Sequence, residues 1–153
     1  ANADNNPQTE AMASITPVET PIFASDQHPG AVRQTMESLE GADVESLVQV
    51  KQADFFKLEP RTDGGMLVFN PPYGERMDPG DVVGLYERIG DRLKFHWSGF
   101  DAWVISSNDE ALKRVGLRPH KRHPVFNGAL ECRWVGFSMY KGSKADQFKS
   151  KKA

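Results

Sequence analysis

The sequence predicts a mixed α/β domain whose mainly parallel sheet ends in an antiparallel hairpin. Three observations predict it. Short apolar runs alternate with stretches of helical periodicity through most of the chain. The last two extended runs are separated by Asn127-Gly128, and both residues tolerate the positive φ of a tight hairpin turn. The apolar run Met66–Phe69 meets Asn70-Pro71-Pro72-Tyr73, so a strand is cut short by two residues that lack an N–H and fix φ.

Each element follows from its own residues. Residues 1–20 carry Asn, Pro, Thr and Glu with little periodicity and read as a linker or a short helix around Glu10–Ala13. Pro21–Ser25 reads as a buried strand. A helix over residues 28–42 has Pro29 in its first turn, Val32, Met36 and Leu39 on one face, and Gly41 as its stop. Leu47–Gln52 alternates as a second strand, and Met66–Asn70 is a short buried third, with Asn70 its last residue. Asp81–Leu93 sets Val82, Leu85, Tyr86, Ile89 and Leu93 on one stripe, with Asp81 as N-cap. Ala102–Ser107 is a fourth strand. A short helix follows, capped by Asn108 and ended by Gly116. The runs on either side of Asn127-Gly128 form an antiparallel pair, which gives the α/β sheet a reversed edge strand. Residues 141–153 hold five Lys against one Asp and read as a basic, mobile tail.

Composition narrows the function classes. With 153 residues, 39% hydrophobic and 26% charged, the chain suits one globular domain. A net charge of −2 gives no overall pull toward nucleic acid, so any such attraction is local. The single cysteine, Cys132, excludes an internal disulfide and suits a reducing, cytoplasmic setting; it sits in an apolar strand as a core thiol. No run approaches the roughly 18 apolar residues of a membrane span. The four histidines show no metal spacing; His120 and His123 fall three apart in an extended stretch, which would face them to opposite sides. Trp97, Trp103 and Trp134 read as core.

The stretch from Asn70 to Tyr73 forms a rigid hook at the carboxyl end of a strand, where open α/β sheets bind ligands. An Asn-Pro-Pro-Tyr stretch after a strand, within alternating β/α units, resembles class I S-adenosylmethionine-dependent methyltransferases that act on exocyclic amines. NPPYGER (70–76), with SDQHPGAV (25–32) upstream and NGALECRW (127–134) downstream, is similar to the THUMP-associated ribosomal RNA guanine-N2 methyltransferases, also labelled N6-adenine-specific DNA methylases. The resemblance spans residues 20–140 or so, making 21–140 the C-terminal part of a methyltransferase domain with a Rossmann-like sheet.

The resemblance implies roles. The Asn70 side-chain oxygen and the Pro71 carbonyl would accept the two hydrogens of the target amine, with Pro71 and Pro72 preorganising them. Tyr73 would stack on an extruded base, worth about 1–3 kcal/mol. Asp26 would accept from the cofactor ribose and Asp54 from its adenine amine. Phe55 would contact the ring, and Asn70 would border the cofactor. The bland readings are a Pro-Pro turn, an Asx turn at Asp26, a turn at Asp54 and core for Phe55 and Phe56. Arg76 would pair with an acid or meet a substrate phosphate. Lys121 and Arg122, clustered with Arg118, Lys113 and Arg114, would hold RNA phosphates or form a solvated edge.

The family's first strand and glycine-rich cofactor loop have no counterpart here, and neither has its THUMP region. The expectation is a C-terminal fragment with an unpaired central strand edge, marginally stable alone or self-associating. Its alternatives in function are adenine-N6 methylation and RNA binding without catalysis.

Overall fold

A computed structural model describes residues 7–72 and 77–141. The chain divides into two compact units, residues 1–58 and 59–153.

The first unit contains α1 (Pro7–Ala13), β1 (Ile22–Asp26), α2 (Pro29–Gly41) and β2 (Val48–Gln52), with single 3-10 turns at Glu45–Leu47 and Phe55–Lys57. β1 and β2 are parallel, in register from Ile22 opposite Val48 to Asp26 opposite Gln52. Helix α2 packs on both strands. Gly41 is its last helical residue and does not reverse the chain; Asp43 does, at φ 58. Aspartate is one of the few residues that enters this region readily. β1 was expected to be buried, yet Ile22 and Phe23 are 42% and 44% exposed. Burial on both faces requires layers above and below a strand, and a two-stranded sheet with one helix does not supply them.

The second unit contains β3 (Gly65–Phe69), α3 (Pro79–His96), β4 (Phe100–Ser106), α4 (Asp109–Arg114), β5 (Pro119–Asn127) and β6 (Leu130–Ser138). The sheet order is β3-β4-β6-β5. β3 and β4 are parallel, joined through α3; β6 is antiparallel to both β4 and β5. The reversed strand is therefore interior and not at the edge. β5 runs in the sense of β4 one place farther out, and the tight turn folds β6 back into the space between them. Asn127 pairs with Leu130, so the turn itself is Gly128-Ala129, with Gly128 at φ 62. β5 is an edge strand carrying Lys121, Arg122, Pro124 and a bulge between Pro119 and Lys121. β3, another edge of this sheet, carries no proline and no charge, and Met66 and Val68 are 66% and 57% exposed. The expectation that β3 is buried fails for the same reason as at β1: its only strand neighbour among the described residues is β4.

The core lies on one face of this sheet. Phe100, Ala102 and Val104 of β4 are buried, as are Val135 and Phe137 beside them on β6. Val82, Tyr86, Ile89 and Leu93 of α3 recur at helical spacing and are buried, as are Ala111, Leu112 and Val115 at α4. Each buried Val, Leu, Ile or Phe side chain contributes about 1.5–3 kcal/mol of transfer free energy. Trp97 packs edge-on against Phe100, with centroids 5.1 Å apart. Helix α3 begins earlier than its sequence suggests: Asp78 is the N-cap, Pro79 follows and Asp81 sits in the first turn. Proline fits the first helical position because its missing N–H is not needed there.

Helix α3 comes so close to the end of α4 that a Cβ on Gly90 would lie 1.8 Å from the Val115 carbonyl oxygen. Gly90→Ala is expected to destabilise the protein by about 3 kcal/mol, read as a lower urea midpoint. A second prediction concerns acid. Arg92 donates to Glu59 at 2.7 Å, and His96 lies 3.3 Å from the same carboxylate. The hydrogen bond from Arg92 holds the Glu59 carboxyl below its ordinary value of 4.5. Its stabilising effect is thus present above that value and lost as pH falls through the lowered one. Glu59→Gln should lower stability slightly at neutral pH and leave the acid end unchanged, which flattens the acid limb of a pH–stability curve.

Candidate functional site

Asp26, Asp54 and Asn70 end or follow the carboxyl ends of parallel strands. In the first unit Asp26 ends β1, opposite Gln52 at the end of β2, and the chain continues through Ala53 to Asp54. The Ala53 N–H donates to the Asp26 carbonyl at 2.9 Å, which extends the ladder by one step and holds the two strand ends together. The Gln52 side chain donates to the Gln27 carbonyl at 3.0 Å.

Both aspartates also perform the local jobs that their bland readings assign. Asp26 Oδ1 accepts from the His28 N–H at 2.7 Å, an Asx turn leading into α2. Asp54 is the N-cap of the Phe55–Lys57 turn, its Oδ1 accepting from the Phe56 N–H at 3.0 Å. A carboxylate offers about four lone-pair sites on two oxygens. One bond to one oxygen leaves each with capacity for a further donor, and the turn it makes fixes its direction. Asp26 is exposed and Asp54 half-buried. Phe55 and Phe56 are half-buried, packed edge to face at 5.5 Å.

In the second unit the hook leaves β3. The strand ends at Phe69, so Asn70 stands just beyond the ladder and not at its last rung. Asn70 is exposed, Pro71 buried and Pro72 exposed. The buried proline anchors the hook, and its exposed neighbours face solvent. Tyr73 and Arg76 lie outside the described residues.

The basic cluster is less concentrated than its sequence suggests. Lys113 pairs with Glu110 at 2.5 Å and Arg114 with Glu87 at 3.6 Å. Lys121 and Arg122 are exposed and adjacent on β5, where successive side chains point to opposite faces. His120 and His123 correct the sequence reading: both rings pack on Trp103, at 5.5 and 6.2 Å, instead of facing opposite ways. The bulge between Pro119 and Lys121 adds a residue to the strand and shifts the alternation. Trp103 and Trp134 lie 5.9 Å apart on the same surface and are half-buried, so of the three tryptophans only Trp97 is buried. No group of three metal-binding side chains occurs among the described residues.

A feature that sequence reasoning missed lies at the end of β4. Ser106, at the end of β4, is fully buried and shares a 2.8 Å hydrogen bond with the hydroxyl of buried Tyr86. A serine in a strand and a tyrosine on an apolar helical stripe give no signal that they meet.

Parallel strands linked through helices, with a reversed interior strand in the second unit, define the α/β methyltransferase-like class of fold. The comparisons narrow it. Residues 4–136 match the RMKL-like methyltransferase domain, UPF0020, and the chain belongs to that family. The chain is 36% identical over 123 residues to the ribosomal RNA large subunit methyltransferase K/L of Syntrophotalea carbinolica, covering 77% of this chain and 17% of that protein. Among solved structures, SMU.472 in complex with SAH has a TM-score of 0.72 at 22% identity, over 80% of this chain and 32% of that one. A possible methylase from Clostridium difficile 630 has a TM-score of 0.77 at 22% identity, over 90% and 37%. The fold expected from the sequence, a Rossmann-like methyltransferase sheet, is the fold of these neighbours.

The Asp54 cap separates two roles by substitution. Asp54→Ala should cost about 1 kcal/mol in chemical denaturation, whereas Asp54→Asn, which keeps the accepting oxygen, should cost a few tenths at most.

Proposed function

We propose that this chain is part of a methyltransferase that moves a methyl group from S-adenosylmethionine to the exocyclic amine of a ribosomal RNA base, guanine N2 in particular. The observation that carries the reading is Asn70-Pro71 leaving the carboxyl end of a parallel strand, in a member of a family whose relatives include ribosomal RNA methyltransferases. The donor set suits the cofactor: Asp26 and Asp54 each keep acceptor capacity at a strand end, matching ribose hydroxyls and an adenine amine. Bound there, S-adenosylmethionine supplies a methyl carbon activated by a sulfonium, which departs as a neutral thioether.

The chain's own residues prepare the acceptor. An exocyclic amine is a weak nucleophile because its lone pair is delocalised into the ring. Accepting its two hydrogens at the Asn70 side-chain oxygen and the Pro71 carbonyl turns that lone pair out of the ring plane. Two consecutive prolines limit the hook's freedom, so little ordering is left to do when the base arrives. The nitrogen gains the methyl and a positive charge, and then loses one proton to the acceptors or to water. We assign Tyr73 to stacking on the base, and Phe55 to the cofactor ring. Arg76, Lys121 and Arg122 are assigned to RNA phosphates.

The chain spans 17% of the methyltransferase K/L relative, and the glycine-rich cofactor loop implied by the resemblance is not in these residues. The reading therefore includes a further stretch of methyltransferase polypeptide as partner, with self-association the competing outcome. No helix among the described residues is long and apolar enough to cross a membrane, and the proposed setting is the cytoplasm, where ribosomal RNA is modified.

Calorimetric titration with S-adenosylmethionine, followed by methyl transfer to ribosomal RNA, tests the reading. Asn70→Ala is expected to lower kcat by about 10²–10³-fold, as for loss of one preorganised polar group. Near-normal turnover by that variant would remove the hook from the chemistry.

A further inference from the structure

We propose that Tyr86 and Ser106 are positioning residues for the hook, acting through a buried hydroxyl pair that locks the sheet end beneath Asn70 and Pro71. The structural part rests on the contacts of the pair and on the β3–β4 register; its catalytic meaning rests on the function proposed above.

Three segments meet at this pair. Ser106 ends β4, and Tyr86 lies two turns into α3, the helix that follows the hook. The Ser106 Oγ also accepts from the Asn108 N–H at 3.1 Å. Asn108 in turn caps α4, its side chain accepting from the Ala111 N–H at 2.9 Å. One serine oxygen thereby ties α3, the end of β4 and the start of α4 together. Ser106 is the buried polar residue of the described core; every other fully buried large side chain there except Tyr86 is apolar or a thiol.

The level of this tie is what links it to the hook. β3 and β4 run parallel with Phe69 opposite Val104. Continuing that register by two places brings Pro71 level with Ser106. Pro71 is buried and Asn70 exposed, so the hook rests on its proline with its amide outward. Tyr86 holds α3 against the end of β4, and Ser106 fixes that strand end beside the hook. The direction of the Asn70 side-chain oxygen depends on both. Hydrogen bonds have directional preference that apolar packing lacks, so this pair sets an orientation where a valine–phenylalanine contact would only fill space.

The test reads Asn70 directly. In ¹H–¹⁵N spectra of the chain, Tyr86→Phe and Ser106→Ala should each shift or broaden the Asn70 side-chain amide signals. Ser106→Thr, which keeps a hydroxyl, should restore them. Leu93→Ala, a core truncation farther along α3, should lower stability without moving Asn70. If Asn70 is unchanged in Ser106→Ala, or moves as much in Ser106→Thr, the pair is packing only and the proposal is overturned. Should Tyr86→Phe fail to fold, the two Ser106 variants decide. In methyl transfer, the hydroxyl-free variants should lose about 10²-fold in kcat with little change in KM, as for a small misplacement of reacting groups. Absence of transfer by the unaltered chain joined to its further methyltransferase polypeptide would count against the proposed function, and the Asn70 spectra would still decide the positioning role.

Discussion

Alternate residues of β4, from Phe100 through Ala102 and Val104 to Ser106, are buried, and the elements of the second unit take their places from that strip. β4 has a strand on each side, β3 in parallel and β6 in antiparallel. Helix α3 enters it and α4 leaves it, and both carry apolar faces whose burial this surface accounts for. The hook after β3 therefore has a rigid wall. Its position follows from a packed strand and not from the intrinsic stiffness of two prolines alone, which fix the dihedrals of the hook but not its location.

The two units differ in how they present polar groups. The first has no buried side chain in any of its helices or strands. Its two aspartates sit in turns that bind one carboxylate oxygen each. The same hydrogen bonds that satisfy the backbone orient the acceptors, so the bland and the functional readings of Asp26 and Asp54 describe one geometry. In the second unit the core is apolar, and among the described residues a buried hydroxyl pair lies within it at the end of β4.

Much of this was legible in the residues. The strand–helix alternation, the final hairpin, the Asn108 cap and the apolar stripe of α3 all follow from local patterns, and each occurs, with the hairpin turn one residue later and the start of α3 earlier than those patterns place them. What was not legible was non-local. The interior place of β6 depends on where β5 lies in the sheet, which no local period encodes. The histidine pair depends on a one-residue bulge, and one extra residue is enough to defeat a parity argument. Burial of β1 and β3 was inferred from apolar composition, but composition records what a strand can bury, not which layers are at hand to bury it. In the hook, the strand end fell one residue before Asn70 because Pro71 has no N–H to carry the ladder onward.

The two margins of the second sheet are unlike in what they would accept beside them. β5 is bordered by prolines, positive charges and a bulge, and each of these discourages another strand from docking. β3 has none of them, and its pleat is apolar on both sides. Such a sheet can lengthen in one direction only. Insertions, duplications or fusions that add strands meet a ready template at β3 and a closed border at β5.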